Sequence, residues 1–561
     1  RPYVIDLTVE EVGSDTATVY IPDCYEYDIQ GNRLHFYGER SPKTGERYWS
    51  YTSYPYDQVN EMNTGEIYRT WDGCKTLFEN CTSIEELGER RVKFHYSSAP
   101  KAKAGFNVQI KETIRDNPSV LIWESENVTL RNIDAGFQHS FGIVGQFSKD
   151  ITVDDVNVIA DPRTGTLTAA SADMMQMSGC GGKITVTNCH FSNPQDDPIN
   201  IHGTFLQIEE ILAPNKIRVR YTQGGTYGFP NYYVGDEVEF IARSNLNAVG
   251  TDATKNAIVT AVENPAEEDY DKENRKNIII TLDRDLPQEI LDSSNITGYV
   301  VENITYTPEV EIRDCIFDQS PVRGILCTTR KKVVIENCLF KNTNMHSIYI
   351  SDDANGWYES GYTRDVTIRN NTFMDCNQSV IDFGPIVYNP DRNNPLHKNL
   401  IIEGNTFYLK DTAAITLTSV ENVQIRNNII KRTNDDVNSS LTVSKSALWA
   451  GEVASLNMDM DTAVHSSKLF TFNYCKNVEL AQNVYGVGLN KSASTSNMDA
   501  SEVNVQDEGV LLNQNNIDEN PLEGCKVQYV SSDETVVRVN ESNSTIEAVG
   551  SGSAQVYAYI T

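Results

Sequence analysis

No apolar run in this sequence approaches the roughly 20 residues that a membrane-spanning helix needs, so insertion into a bilayer as a helix is excluded. Positive charge is scarce as well. Lys and Arg number 47 against 78 Asp and Glu, a formal net charge of −31 over 561 residues. A field of that sign repels nucleic acid and anionic membrane surfaces, and it slows the capture of polyanionic sugars such as pectate. Neutral substrates or cations are the natural partners. The 11 cysteines include no CxxC pair and no Cys/His cluster with zinc spacing, and a chain of this length does not need disulfide staples. Cys74 and Cys81, in CKTLFENC, could bridge but are expected to be reduced. The opening RPYVIDLTVE is no signal peptide, and the chain reads as if cut from a longer precursor.

What the sequence does contain is a repeat. The pattern β-branched-x-β-branched-x-Asn/Asp-Cys/Asn-x-Phe occurs as ITVTNCHF (184–191), VEIRDCIF (310–317), VVIENCLF (333–340), VTIRNNTF (366–373) and LIIEGNTF (400–407). Weaker copies begin at 128, 151, 423 and 478. Starts at 128 and 151, 310 and 333, and 400 and 423 are 23 residues apart, while other gaps widen to 33 or 34, as loop insertions would make them. Each copy alternates apolar and polar residues and is bounded by Asn, Asp or Gly, the mark of a short strand and a turn. A period in this range without helical periodicity predicts a right-handed parallel β-helix. Cys189, Cys315 and Cys338 share one repeat position and are expected to be small buried ladder residues, not metal ligands.

Length alone suggests three or four domains, and the repeat locates them. Between 184 and 310 lie 126 residues, one coil plus an excess. That excess holds the alternating stretches KIRVRYTQ, DEVEFIAR, NAIVTAVE and NIIITLDR, which predict an inserted small β-barrel. The expected organisation is therefore all-β. A β-rich or barrel region spans 1–105, helix coils span 106–203, an inserted barrel spans 204–300, and further coils span 301–500. A linker, 501–524, then leads to a partial Ig-like β-sandwich segment, 525–561. That tail resembles the bacterial type 2 Ig-like modules, which string along secreted or surface proteins, so the chain is expected to be secreted or exposed on a bacterial surface.

One stretch, FSNPQDDPINIHG (191–203), demands a chemical reading. Adjacent Asp196 and Asp197 could be solvated turn residues, a clamp for a hard cation such as calcium, or catalytic groups. Strand side chains alternate between faces. Ile199/Ile201, Ile325/Cys327 and Ile348/Ile350 then point into the coil, and Asn200, His202 and Tyr349 point out. Aligning Met175 and Met177 of the preceding coil with Ile199 and Ile201 puts Asp173 level with Asp197, about 4.8 Å away if coils are spaced as strands are. Three carboxylates on one face raise each other's pKa. Glycosidic cleavage needs that condition: one protonated carboxyl for the leaving oxygen and one ionised carboxylate for water or for attack. His202 read alone is as well a structural histidine, and Met174, Met175 and Met177 are core filling.

The segment DMMQMSGCGGKITVTNCHFSNPQDDPINIHGTF resembles glycoside hydrolase family 110, the α-1,3-galactosidases that act on blood-group-B-type glycans. The motif is an Asp and, 23 positions on, Asp-Asp-Pro-Ile-Asn-x-His-Gly. The likeness runs over most of residues 1–490 and leaves out the tail. It implies an exo-acting, inverting, metal-independent hydrolase without cofactor, acting on galactose-terminated oligosaccharides. It also implies Asp196 as the acid, with Asp173 and Asp197 holding and deprotonating the attacking water. The coil register, rather than the family motif, adds Gln176, Asn200, His202, Arg323, His346 and Asp382 as candidates for binding galactose hydroxyls. Polygalacturonases share the helix and the Asp-Asp pair but carry a later Gly-His-Gly that this chain lacks, and the acidic charge opposes a polyuronate substrate. Two other readings stay open on the sequence: a β-helix hydrolase or lyase acting on another polysaccharide, and a non-catalytic glycan-binding surface solenoid.

Overall fold

A computed structural model describes residues 4–53, 58–63, 69–70, 77–111, 115, 117–161, 166–433, 440–447, 452–459, 468–515, 527–531, 536–540, 545–550 and 556–560. Two long parallel sheets dominate. One has 17 strands, from Glu126–Ala135 to Val503–Val505, and carries every copy of the repeat. The other, of 12 strands, runs from Pro118–Trp123 through Met175–Ser178, Ile199–Thr204, Ile325–Cys327, Ile348–Ile350 and Ile381–Phe383 to Leu511–Asn515. These are the walls of a parallel β-helix.

The repeat consensus explains why the coils stack. Its first β-branched pair is inward and buried, as with Ile184 and Val186 or Val333 and Ile335. The Asn/Asp position then turns the chain in the left-handed region, with φ of 56° at Asn188, 57° at Asp314, 56° at Asn337 and 56° at Asn370. Short polar side chains visit that region at lower cost than other non-glycine residues, and glycine takes it at Gly404. The next position is the buried ladder. Cys189, Cys315 and Cys338 are at most 2% exposed, as their shared repeat position predicts. Beyond them the ladder becomes asparagine. Asn371, Asn405, Asn428 and Asn483 each accept from the residue below, and Asp507 closes the series by accepting from Asn483 at 2.9 and 2.7 Å. Buried amides are tolerable because every rung supplies the partner that the next one needs. The final position stacks Phe191, Phe317, Phe340, Phe373 and Phe407 with centroid spacings of 5.7, 4.9, 5.0 and 4.9 Å. Each buried ring contributes about 1.5–3 kcal/mol by area and stacking adds about 0.5–1.5 kcal/mol per pair.

Where the spacing between repeats widens by about one hundred residues, Leu206–Ala213, Lys216–Arg220, Asn277–Leu282, Asn256–Glu263, Glu237–Ala242 and Tyr299–Asn303 form a closed barrel. It is tied to the helix through the segment 351–362. Arg243 of the barrel donates to the Ala354 carbonyl and the Tyr358 hydroxyl, both at 2.8 Å. Phe205, Ile241, Leu246 and Val300 share a core with Ala354, Tyr358 and Tyr362. The N-terminal region is a seven-stranded sheet, with a three-stranded sheet of Glu26–Gln30, Arg33–Tyr37 and Ser50–Thr52 sharing its core. No closure of that sheet into a barrel is found among the described residues. It also includes Phe106–Lys111, past the expected boundary at 105. In the tail, Val527–Ser531 pairs with Val556–Ile560, and Val537–Asn540 pairs with Thr545–Ala548. Cys81 carries a free thiol, while Cys74 lies outside the described residues.

Candidate active site

The register expected from the apolar pattern is the one observed. Met175 pairs with Ile199, Gln176 with Asn200 and Met177 with Ile201. Ile199 pairs with Ile325 and Ile325 with Ile348. The Met174 amide donates to the Asp197 carbonyl at 3.0 Å, which sets Asp173 and Asp197 on neighbouring coils at one level. Oxygens of Asp173, Asp196 and Asp197 consequently all come within 4.8 Å of one another.

Two arginines hold this cluster. Arg323 forks onto Asp197 with bonds of 2.8 and 2.6 Å and lies 3.8 Å from Asp196. Arg115 donates to Asp196 at 2.6 Å, and its guanidinium sits over Phe141 and Trp357 at 5.1 and 5.9 Å. Burial, followed by repulsion from Asp196 and Asp197, pushes the Asp173 carboxyl well above the usual range. Burial raises Asp197 to about 6, with Arg323 opposing the rise. Among the described residues no cation bonds Asp173 directly, whereas Arg323 bonds Asp197. The three carboxylates could offer one oxygen each to a metal, but a hard cation wants about six to eight oxygens. Two guanidiniums already supply the compensating charge here.

Asp173 and Asp197 are 4% and 1% exposed, while the Asp196 side chain is 15% exposed and looks out past Arg115. Asn200 and His202, expected on an open outer face, are instead covered. The segment 351–362 folds back so that Glu359 and Ser360 pair antiparallel with Thr204 and Gly203. Asn200 donates to Asp173 at 3.5 Å and to Glu359 at 3.3 Å. His202 donates from Nδ1 to the Gly203 carbonyl at 2.6 Å, so its Nε2 accepts from the Gln176 amide at 3.3 Å, with Glu359 at 3.6 Å. Asn200 thus bridges Asp173 to Glu359, and His202 stands between Gln176 and Glu359. Asn200 Oδ1 is buried with no hydrogen-bond partner among the described residues. Along the same sheet, His346 stacks on Tyr349 at 4.9 Å and lies 3.7 Å from Asp382, with Arg323 6.0 Å from the Tyr349 ring. Burial lowers His346 to about 4 and raises Asp382 to about 7. His346, Tyr349, Asp382 and Arg323 are each partly exposed and form a polar wall continuous with the carboxylates.

Every residue proposed from the sequence therefore belongs to one connected constellation. Three residues were missed: Arg115, Glu359 and Trp357. The last two had a signal, since the gap from 333 to 366 exceeds the repeat by ten residues, and the excess falls within SDDANGWYESGY, 351–362. Arg115 had none, because it stands outside the repeat.

A family model described as a right handed beta helix region matches residues 300–558. The α-1,3-galactosidase A of Peterkaempfera griseoplana is 38% identical over 570 residues, covering 100% of this chain and 76% of that protein. The α-1,3-galactosidase A of Bacteroides thetaiotaomicron is 33% identical over 436 residues, 77% of this chain and 71% of that one. The α-1,3-galactosidase B of the same species is 30% identical over 448 residues, covering 76% and 68%. On its coils, its Asp-Asp-Pro-Ile-Asn-x-His-Gly motif and these relatives, the chain belongs to the α-1,3-galactosidases, glycoside hydrolase family 110.

Proposed function

We infer that this protein is an exo-acting glycoside hydrolase that releases terminal α-1,3-linked galactose from glycans. The observation that carries the reading is the convergence of Asp173, Asp196 and Asp197 within 4.8 Å, in a chain whose relatives are named α-1,3-galactosidases. Asp196, the most exposed of the three, gives its proton to the glycosidic oxygen as the C1–O bond breaks. A water attacks C1 from the opposite face and yields its proton to Asp197, which Arg323 holds in place. Asp197 then passes that proton back to Asp196 through the coupled carboxylates, Asp173 among them, so the cluster ends each turnover with the one proton it began with. Interacting carboxyls titrate as a group, so the three act as a one-proton unit. Tyr349, His346 and Asp382 offer a ring face and polar atoms for galactose.

The spacing bears on the stereochemical course. Carboxylates of inverting enzymes stand about 6.5–9.5 Å apart and those of retaining enzymes about 5–5.5 Å, and the nearest oxygens here are closer than either. Inversion is nevertheless the reading that the burial of Asp173 and Asp197 favours. A water is small enough to be held by carboxylates that are almost wholly enclosed, whereas a sugar carbon would have to reach them for direct attack. β-Galactose is then the first product seen by NMR, and initial α-galactose would overturn inversion.

The roles are tested with α-galactosides of graded leaving groups. Asp196→Asn loses turnover of Galα1-3Gal by about 10²–10⁴-fold yet is spared on a nitrophenyl leaving group, which needs no proton. Asp197→Asn loses both. Wild-type turnover of Galα1-3Gal by Asp196→Asn would overturn the assignment.

A further inference from the structure

Strand alternation in the N-terminal sheet places Ile5, Leu7, Val9, Val108 and Ile110 on one face, in that sheet's own core. The other face carries Asp6, Asn107, Gln109 and Lys111, with Asp6 directly opposite Gln109. An antiparallel sheet with one apolar face commonly gives the other to solvent. Here the polar face is closed: Asp6 is 2%, Asn107 7%, Gln109 0% and Lys111 2% exposed.

What closes it is the back of the site. Gln195, the residue before Asp196, donates through its side-chain amide to Gln109 Oε1, and at 3.4 Å to Thr168 Oγ1. The Gln109 amide donates to Asp6 at 2.6 Å and to Thr168 at 3.3 Å, and Asp6 accepts from the Leu167 amide at 3.1 Å. Lys111 donates to the carbonyl of Ser171, two residues before Asp173, at 3.2 Å. One strand thus grips both loops that end in the carboxylates.

We propose that Phe106–Lys111 is a positioning element of the active site. Gln109 acts through Gln195 on Asp196 and Asp197, and Lys111 acts through Ser171 on Asp173. Their separation along the strand, about 6.6–6.8 Å for two residues, sets how far apart the two carboxylate-bearing loops stand and hence how strongly Asp173 couples to its neighbours. The N-terminal sheet is then part of the catalytic apparatus rather than an appended module. The proposal rests on the hydrolase reading above, because it assigns these residues to that reaction.

The test uses the full chain. Gln109→Leu and Lys111→Met are measured on Galα1-3Gal for kcat, KM and the pH dependence of kcat, with melting temperature as the control for folding. A misplacement near 1 Å costs about 10²-fold, so kcat falls by about 10–100-fold while KM stays within about twofold. The basic limb of the kcat profile moves to lower pH, because carboxylates that have drifted apart raise each other less. Folded variants with wild-type kcat and an unmoved limb overturn the proposal. If both fail to fold, the near-isosteric Thr168→Val is compared with Thr168→Ser. Loss of kcat in the first and retention in the second supports the proposal, and equal turnover overturns it. A wild-type protein that releases no galactose overturns the hydrolase reading itself, a result distinct from active wild type with equally active variants.

Discussion

Replacing Arg323 by Met removes the fork of 2.8 and 2.6 Å bonds on Asp197 while leaving a side chain of similar length. Asp197 is 1% exposed, and burial already raises it to about 6 against the pull of Arg323. A neighbouring arginine lowers an aspartate by about 1–3 units, so without it Asp197 titrates higher by about that much. On the acidic limb kcat/KM then drops by about tenfold for each unit of that rise. The loss is recovered at higher pH, since the group that must be ionised is merely protonated. The acidic limb of the kcat/KM profile therefore moves up by about 1–3 units. Arg323→Lys, which keeps the charge without the fork, falls between the two. The assay is galactose release from Galα1-3Gal across pH 4–9. Breaking a buried pair costs about 3–5 kcal/mol of stability, so the melting temperature is followed in parallel. An Arg323→Met protein that is folded and keeps the wild-type acidic limb refutes the assignment of Asp197 as a base tuned by Arg323.

His397 is fully buried, and burial, with Arg364 nearby, lowers it to about 3 from 6.5. The unfolded chain therefore takes up this proton first, and the stability present above pH 6.5 is lost as pH falls toward 3. His397→Asn should melt less steeply with acid between pH 7 and 4 than the wild type, and parallel curves would contradict the assignment. Asn405 Oδ1 accepts from the Asn371 backbone and side chain at 2.9 and 3.0 Å, and its amide donates to Ile368 and Asn428 at 2.9 and 3.0 Å. Asn405→Ala strands several buried partners and should cost about 2–5 kcal/mol in urea unfolding; a cost near zero would show that the ladder carries no stability. Because guanidiniums compensate the carboxylates, EDTA should leave galactose release unchanged. Loss of activity that calcium restores would make the cluster a metal site.

The coils were legible because a β-helix is a one-dimensional stack. Its register follows from matching inward apolar pairs, as Met175/Met177 match Ile199/Ile201. With register came the site, since Asp173 and Asp197 had to share a level once those pairs were aligned. The turn residues were equally plain, because Asn, Asp and Gly occupy the left-handed positions, where most side chains are strained. The cover was not legible. Asn200 and His202 point outward as alternation requires, yet Glu359 and Ser360 close over them, and no periodic pattern announces where an irregular loop comes to rest.

By itself, the amino-acid sequence determined the periodic part of this protein: the stacked coils, the buried cysteine, asparagine and phenylalanine ladders, and the meeting of Asp173 with Asp196 and Asp197. Local alternation and a constant strand spacing suffice for that. Tertiary structure decided the electrostatics beyond Arg323, which the coil register had already placed. Arg115, Glu359 and the buried polar face around Gln109 reach the carboxylates from segments that share no repeat with them. Their effect is set by distance and burial, which depend on how separate parts of the chain pack, and no pattern along the chain encodes those quantities.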